Sequence, residues 1–98
     1  MILEIQCLPS LIGVDDDPYR HVDAAIAVIE ASGLHFEVGA LGTTIEGTAD
    51  ELWALARRVH EACLASGATS VVSVVKLSEA AATTGAATMD SLTAKFRR

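Results

Sequence analysis

The sequence predicts a single α+β domain with element order β-α-β-β-α-β, and three observations carry that reading. Apolar and polar residues alternate with period two over residues 2–8 and 34–38, the pattern of strands with one buried face. Two stripes at three-four spacing, Val22/Ala25/Ile26/Ile29 and Leu52/Leu55/Ala56/Val59/Ala62/Cys63, mark amphipathic helices. Between the second and third strands, Gly39 and Gly42 punctuate a link short enough for a hairpin.

The elements follow in order. Leu3, Ile5 and Cys7 alternate with Glu4 and Gln6 until Pro9 stops the first strand. Asp15-Asp16-Asp17-Pro18 offers an acidic N-cap before a proline at the first helical position, so helix one is expected to begin at Pro18 and to end at Gly33. Leu34, Phe36 and Val38 form the apolar side of the second strand, and residues 43–47 form the third. Thr48-Ala49-Asp50-Glu51 fits a capping box, in which the threonine oxygen and the glutamate carboxylate each satisfy the other residue's amide, and Gly67 closes the second helix. Valine-rich residues 70–77 give the fourth strand, and residues 79–87 read as a small, polar, mobile connection. Residues 88–98 are expected to form a short helix carrying Met89, Leu92 and Phe96 on one side, which needs a surface to pack on.

Two helices and a central hairpin in this order are best accommodated by a ferredoxin-like sandwich: an antiparallel four-stranded sheet of order 4-1-3-2 with both helices on one face. Strands 2–8 and 43–47 are then central neighbours, and the other sheet face is expected to lie uncovered. A chain of 98 residues makes one domain, 1–98. Thirteen acids against seven bases give a net charge of −6, which disfavours nucleic acid and anionic membrane surfaces as partners. The first residues lack the basic and apolar regions of a signal peptide, and no apolar run spans a bilayer, so a soluble cytoplasmic protein is expected, with Cys7 and Cys63 as reduced thiols.

Alternation assigns Leu3, Ile5, Phe36, Val38, Ile45, Val72 and Val74 to the helix side and Glu4, Gln6, His35, Glu37, Thr44, Glu46 and Ser73 to the open face. That face would be acidic, with Glu4 and Glu46 on adjacent strands placed to attract an organic cation or an amino-substituted ring. A solvated face or a contact between subunits accounts for it equally well. His60 and Cys63 share a side of helix two, but two further metal ligands are missing, so packing is expected and no metal. His21 reads as an exposed helix residue, and Trp53 lies off the apolar stripe. No nucleophile motif, dinucleotide fingerprint or P-loop occurs.

Three runs carry a more specific resemblance: Ile5-Gln6-Cys7-Leu8-Pro9-Ser10, Ser32-Gly33-Leu34-His35-Phe36-Glu37-Val38-Gly39, and Gly42-Thr43-Thr44-Ile45-Glu46-Gly47. With His60-Glu61-Ala62, Gly67-Ala68 and a terminal Thr88-Met89 leading to Lys95 in the same order, the chain resembles the YkoF-like thiamine-binding family over nearly its whole length. The resemblance implies a ferredoxin-like subunit that forms homodimers or homotetramers through its sheets. It also implies binding of thiamine or its hydroxymethylpyrimidine moiety without catalysis. Thr43, Thr44 and Glu46 match the family's motif, and Ser10 lies in the matching turn after strand one; Gln6 and Glu37 join them from the open face as candidate ligand-binding residues. Where relatives carry charges after the last strand, residues 78–87 are mostly alanine and threonine. The expectation is a non-catalytic binder serving thiamine salvage, transport or sensing, with no cofactor and thiamine as candidate ligand. The alternatives are a small enzyme using His35 and Glu37 as acid and base on the open face, and a purely structural oligomer.

Overall fold

The computed structural model describes residues 1–9, 20–81 and 86–96. The chain forms β1 (Ile2–Pro9), α1 (Arg20–Ala31), β2 (His35–Val38), β3 (Thr43–Glu46), α2 (Ala49–Ala65), β4 (Val71–Ser78) and α3 (Met89–Thr93), followed by one 3-10 turn, Ala94–Phe96. The sheet has order β2-β3-β1-β4 with every pairing antiparallel, the ferredoxin-like arrangement with β1 and β3 at the centre. The acidic cap expected at Asp15-Asp16-Asp17, the helix start at Pro18, and residues 82–85 lie outside the described residues.

Local chemistry sets the helix ends. Thr48 Oγ1 accepts from the Glu51 amide at 3.2 Å while Glu51 Oε1 accepts from the Thr48 amide at 3.0 Å, so the capping box of α2 is complete. Gly33 (φ +73°) and Gly67 (φ +110°) take the left-handed conformations that release the chain from α1 and α2, a region that side-chain-bearing residues avoid. The core lies between the sheet and these two helices: Leu3, Ile5 and Ile45 from the sheet meet Ala25 and Ile29 of α1 and Leu52, Leu55, Val59 and Cys63 of α2.

Register decides the faces. Leu3 stands opposite Ile45 and Leu77, Ile5 opposite Thr43 and Val75, and Cys7 opposite Ser73. Directly opposed residues share a face, so in β4 the inward side chains are Val71, Ser73, Val75 and Leu77. The expected phase of β4 is therefore reversed: Val72 and Val74 lie on the open face, 62% and 45% exposed, and Ser73 points toward α2. The open face is also partly covered. Met89 of α3 is buried, and α3 contacts β3, so the C-terminal segment docks on its own sheet. That helix is shorter than expected, and Leu92 and Phe96 remain exposed.

Two outcomes follow for stability. Leu52 is fully buried, and Leu52→Ala should cost about 2–5 kcal/mol in urea unfolding, since the cavity adds to the lost transfer energy; a change under about 1 kcal/mol would contradict the packing described. Hydrogen bonds from the Thr48 backbone and side chain hold the Glu51 carboxyl below its ordinary value of 4.5. A lowered folded-state value adds stability that is present above the unfolded value and lost as pH falls through the folded one. Glu51→Gln should accordingly flatten the acid limb of the stability profile below about pH 4.5 and leave the slope near neutrality unchanged.

Candidate functional site

The six candidate side chains do not form one cluster. Ser10 lies outside the described residues. Thr43 shares the helix side of the sheet with Ile5 and Ile45 and is 7% exposed. It borders a cavity of about 210 Å³ enclosed by β1, α1, α2 and the β2–β3 link. Ile5, Val22, Ile26 and Val59 supply apolar wall, Cys7 and Thr43 add polarisable or polar side chains, and Gln6 borders the cavity from a strand position that turns its side chain to the open face, opposite Val74. The Gly39 amide donates to the Gly42 carbonyl at 2.9 Å and closes the turn that forms the rim. A Cβ at Gly39 would stand 3.0 Å from that carbonyl, so the tight turn favours the absence of a side chain there.

Thr44, Glu37 and Glu46 occupy the opposite face. Glu37 and Thr44 stand opposite each other and line a smaller cleft of about 120 Å³ with Ile2, Met89, Leu92 and Thr93. Glu46 Oε1 accepts from the Met89 amide at 2.6 Å, so its carboxylate holds the first turn of α3, where orphan amides and the helix dipole favour negative charge. Glu4 lies 3.8 Å from Lys76 and His35 3.6 Å from Asp90, both at exposed positions. The carboxylates expected to gather around a cation are thus divided among a helix terminus, a lysine and the α3 cleft. His35, expected on the open face, is there.

Several groups that the sequence placed elsewhere, or did not single out, lie on the inner side. His21 is fully buried rather than exposed: its Nδ1 lies 2.5 Å from Ser66 Oγ, and its Nε2 has no hydrogen-bond partner. The reason is long-range, because α1 and α2 pack along their lengths and bring Ser66 to the ring. His60 Nδ1 lies 2.6 Å from Ser73 Oγ, which is itself 3.5 Å from Cys7 Sγ. Burial pushes the Cys63 thiol up to about 12, with the neighbouring Cys7 adding to the shift. Both cysteines are free thiols. Trp53, off the stripe as expected, is exposed. Among the described residues no group of three His, Cys, Asp or Glu is placed to hold a metal ion, and no helix is long and apolar enough to cross a membrane.

Comparison with known proteins places this geometry in a lineage. The family model described as thiamine-binding protein matches residues 3–96. A UPF0045 protein of Clostridium perfringens is 38% identical over 95 residues, covering 97% of this chain and 95% of the relative. The solved structure of a domain of unknown function from Bacillus cereus superposes with a TM-score of 0.88 at 33% identity, covering 98% of this chain and 88% of that one. A Thermotoga maritima structure, assigned provisionally to thiamine biosynthesis or salvage, shares the fold with a TM-score of 0.82 at 23% identity, covering 98% and 97% of the two chains. The match over residues 3–96 and the Clostridium relative together establish that this chain belongs to the thiamine-binding protein family.

Proposed function

We propose that the protein binds thiamine or its hydroxymethylpyrimidine moiety without transforming it, and that the pyrimidine ring enters the cavity beside Thr43. The observation that carries this reading is the apolar-walled cavity of about 210 Å³ with a nearly buried threonine in its wall. Ligand sites are concave and mostly apolar, with a few polar groups that fix orientation, and drug-sized ligands use roughly 300–1,000 Å³. A space below that range suits one flat heteroaromatic ring rather than all of thiamine. The ring would be buried and the cationic thiazolium left outside, where a chain of net charge −6 favours it. Family membership supports the ligand class.

Thr43 and Gln6 are the described residues of the original six that border this cavity, and Ser10 follows Pro9 in sequence at the end of β1. Glu46 is assigned instead to holding α3, and Glu37 and Thr44 to the cleft beneath it. We further propose a cytoplasmic homo-oligomer, dimer or tetramer, acting in thiamine salvage, transport or sensing. Support for assembly comes from Leu8, Val72 and Val74, which are 49%, 62% and 45% exposed on adjacent strands of the open face.

Titration calorimetry tests the site. Thiamine and free hydroxymethylpyrimidine should both bind saturably, with similar affinities because they share the buried ring. Thr43→Val keeps the shape and removes the hydroxyl, and should weaken both by about 0.5–1.5 kcal/mol. Thr44→Val should leave both affinities unchanged. Equal binding by wild type and Thr43→Val with loss in Thr44→Val would move the site to the opposite face, and no saturable binding of either compound would end the proposal. Light scattering should give a mass at least twice the 10.2 kDa of the chain.

Glu46→Gln probes the other assignment. It should leave thiamine affinity unchanged while loosening α3, seen as faster amide exchange at Met89 and neighbouring residues. A lost affinity with α3 still protected would return Glu46 to the ligand site.

A further inference from the structure

We propose that Cys7 is a reactive thiol that undergoes exchange with small aromatic disulfides entering the cavity between α1 and the β2–β3 link. This goes beyond reversible ligand binding and does not depend on which ring the cavity normally holds.

The two cysteines are chemically unequal. Cys63 is fully enclosed, its Sγ 3.6 Å from the His21 carbonyl oxygen, and its thiol is pushed up to about 12. Such a group stays protonated and is a poor nucleophile, because the thiolate is the attacking species. Cys7 is half-buried, lines the cavity and begins a chain of polar atoms running out of it. Its Sγ lies 3.5 Å from Ser73 Oγ, and that oxygen lies 2.6 Å from His60 Nδ1. With the imidazole proton on Nε2, Nδ1 accepts from the Ser73 hydroxyl, and the serine oxygen accepts from the Cys7 thiol. A thiol joined through one hydroxyl to a half-buried imidazole has a route for its proton, the requirement for general-base assistance.

Aromatic disulfides fit the surroundings. Ile5, Val22, Ile26 and Val59 give apolar walls, and the space of about 210 Å³ admits one ring. The step balances without any other reagent. Cys7 Sγ forms a bond to one sulfur of the disulfide, the original S–S bond breaks, and its electron pair leaves with the departing thiolate. The Cys7 proton passes to Ser73 Oγ as the serine proton passes to His60 Nδ1. The products are a mixed disulfide at Cys7 and one free thiol. Cys63 is enclosed in the core and has no direct access to the incoming disulfide. Here Ser73 and His60 are positioning residues for proton transfer, and Cys7 is the group that reacts.

The full-length chain mixed with dithiodipyridine, a neutral aromatic disulfide, provides the test. A fast phase should release one equivalent of thiopyridone, and peptide mass spectrometry should find the adduct on Cys7. Cys7→Ser should abolish that phase, and Cys63→Ala should retain it. Ser73→Ala should slow it by about tenfold or more, and Ser73→Thr, which restores the hydroxyl, should recover the rate. His60→Gln provides the same readout should Ser73→Ala fail to fold. Labelling at Cys63, release of two equivalents in the fast phase, or wild-type rates in folded Ser73→Ala or His60→Gln would overturn the proposal.

Discussion

Leu3 lies between Ile45 on one neighbouring strand and Leu77 on the other, and this alignment across three strands determines what each face of the sheet can do. All three turn toward α1 and α2, so Ile5, Thr43 and Val75 follow two residues along, and Cys7 with Ser73 follow them. Side chains alternate strictly between faces, and a slip of one residue would exchange the two sets. The apolar cost of exposing Leu3, Ile5 and Ile45 makes the slip unfavourable. The same register that protects the core therefore delivers a hydroxyl and a thiol to the cavity. It also leaves Glu46, one residue beyond Ile45, on the opposite side.

The two faces divide the work. On the inner side the wall beside Thr43 is mainly aliphatic, and selectivity would come from few polar groups against that wall. On the outer side, charge is used for architecture: Glu46 fastens α3, and His35 lies near Asp90 at the same helix. A five-residue helix has little intrinsic stability. Its persistence rests on the buried Met89, the carboxylate of Glu46 and its own capping contacts between Thr88 and Ser91.

What could be read from the sequence was local or periodic. The α2 capping box needs only residues three positions apart, and the strands β1 and β3 declare their faces by alternation. Thr43 was legible in the same way, because it is two residues from Ile45 and must share its side. Strand β4 was not, since Val-Val-Ser-Val-Val places valine at both parities and no period distinguishes them. Only the pairing of Ser73 with Cys7, and its bond to His60, settles the phase. His21 was misjudged as exposed because its partner Ser66 lies 45 residues away, and the bond from the Met89 amide to Glu46, across 43 residues, is equally invisible to a local pattern. The family resemblance identified the lineage correctly. It grouped Thr43 with Thr44 and Glu46 by adjacency in sequence, and the strand places Thr43 on one face and Thr44 with Glu46 on the other.

Among the described residues strand β4 ends the sheet, and no strand of theirs pairs with its outer row of amides and carbonyls, so its eight residues form a template for another strand. Many proteins blunt such borders with charge, and Val71–Ser78 contains a single charged residue, Lys76. Its ammonium lies near Glu4, which weakens the repulsion it offers an approaching chain. The border is thus only lightly guarded against main-chain hydrogen bonding. If two molecules align there, their sheets become one continuous eight-stranded surface by count of four strands each, and β4 passes from an aggregation hazard to an interior strand.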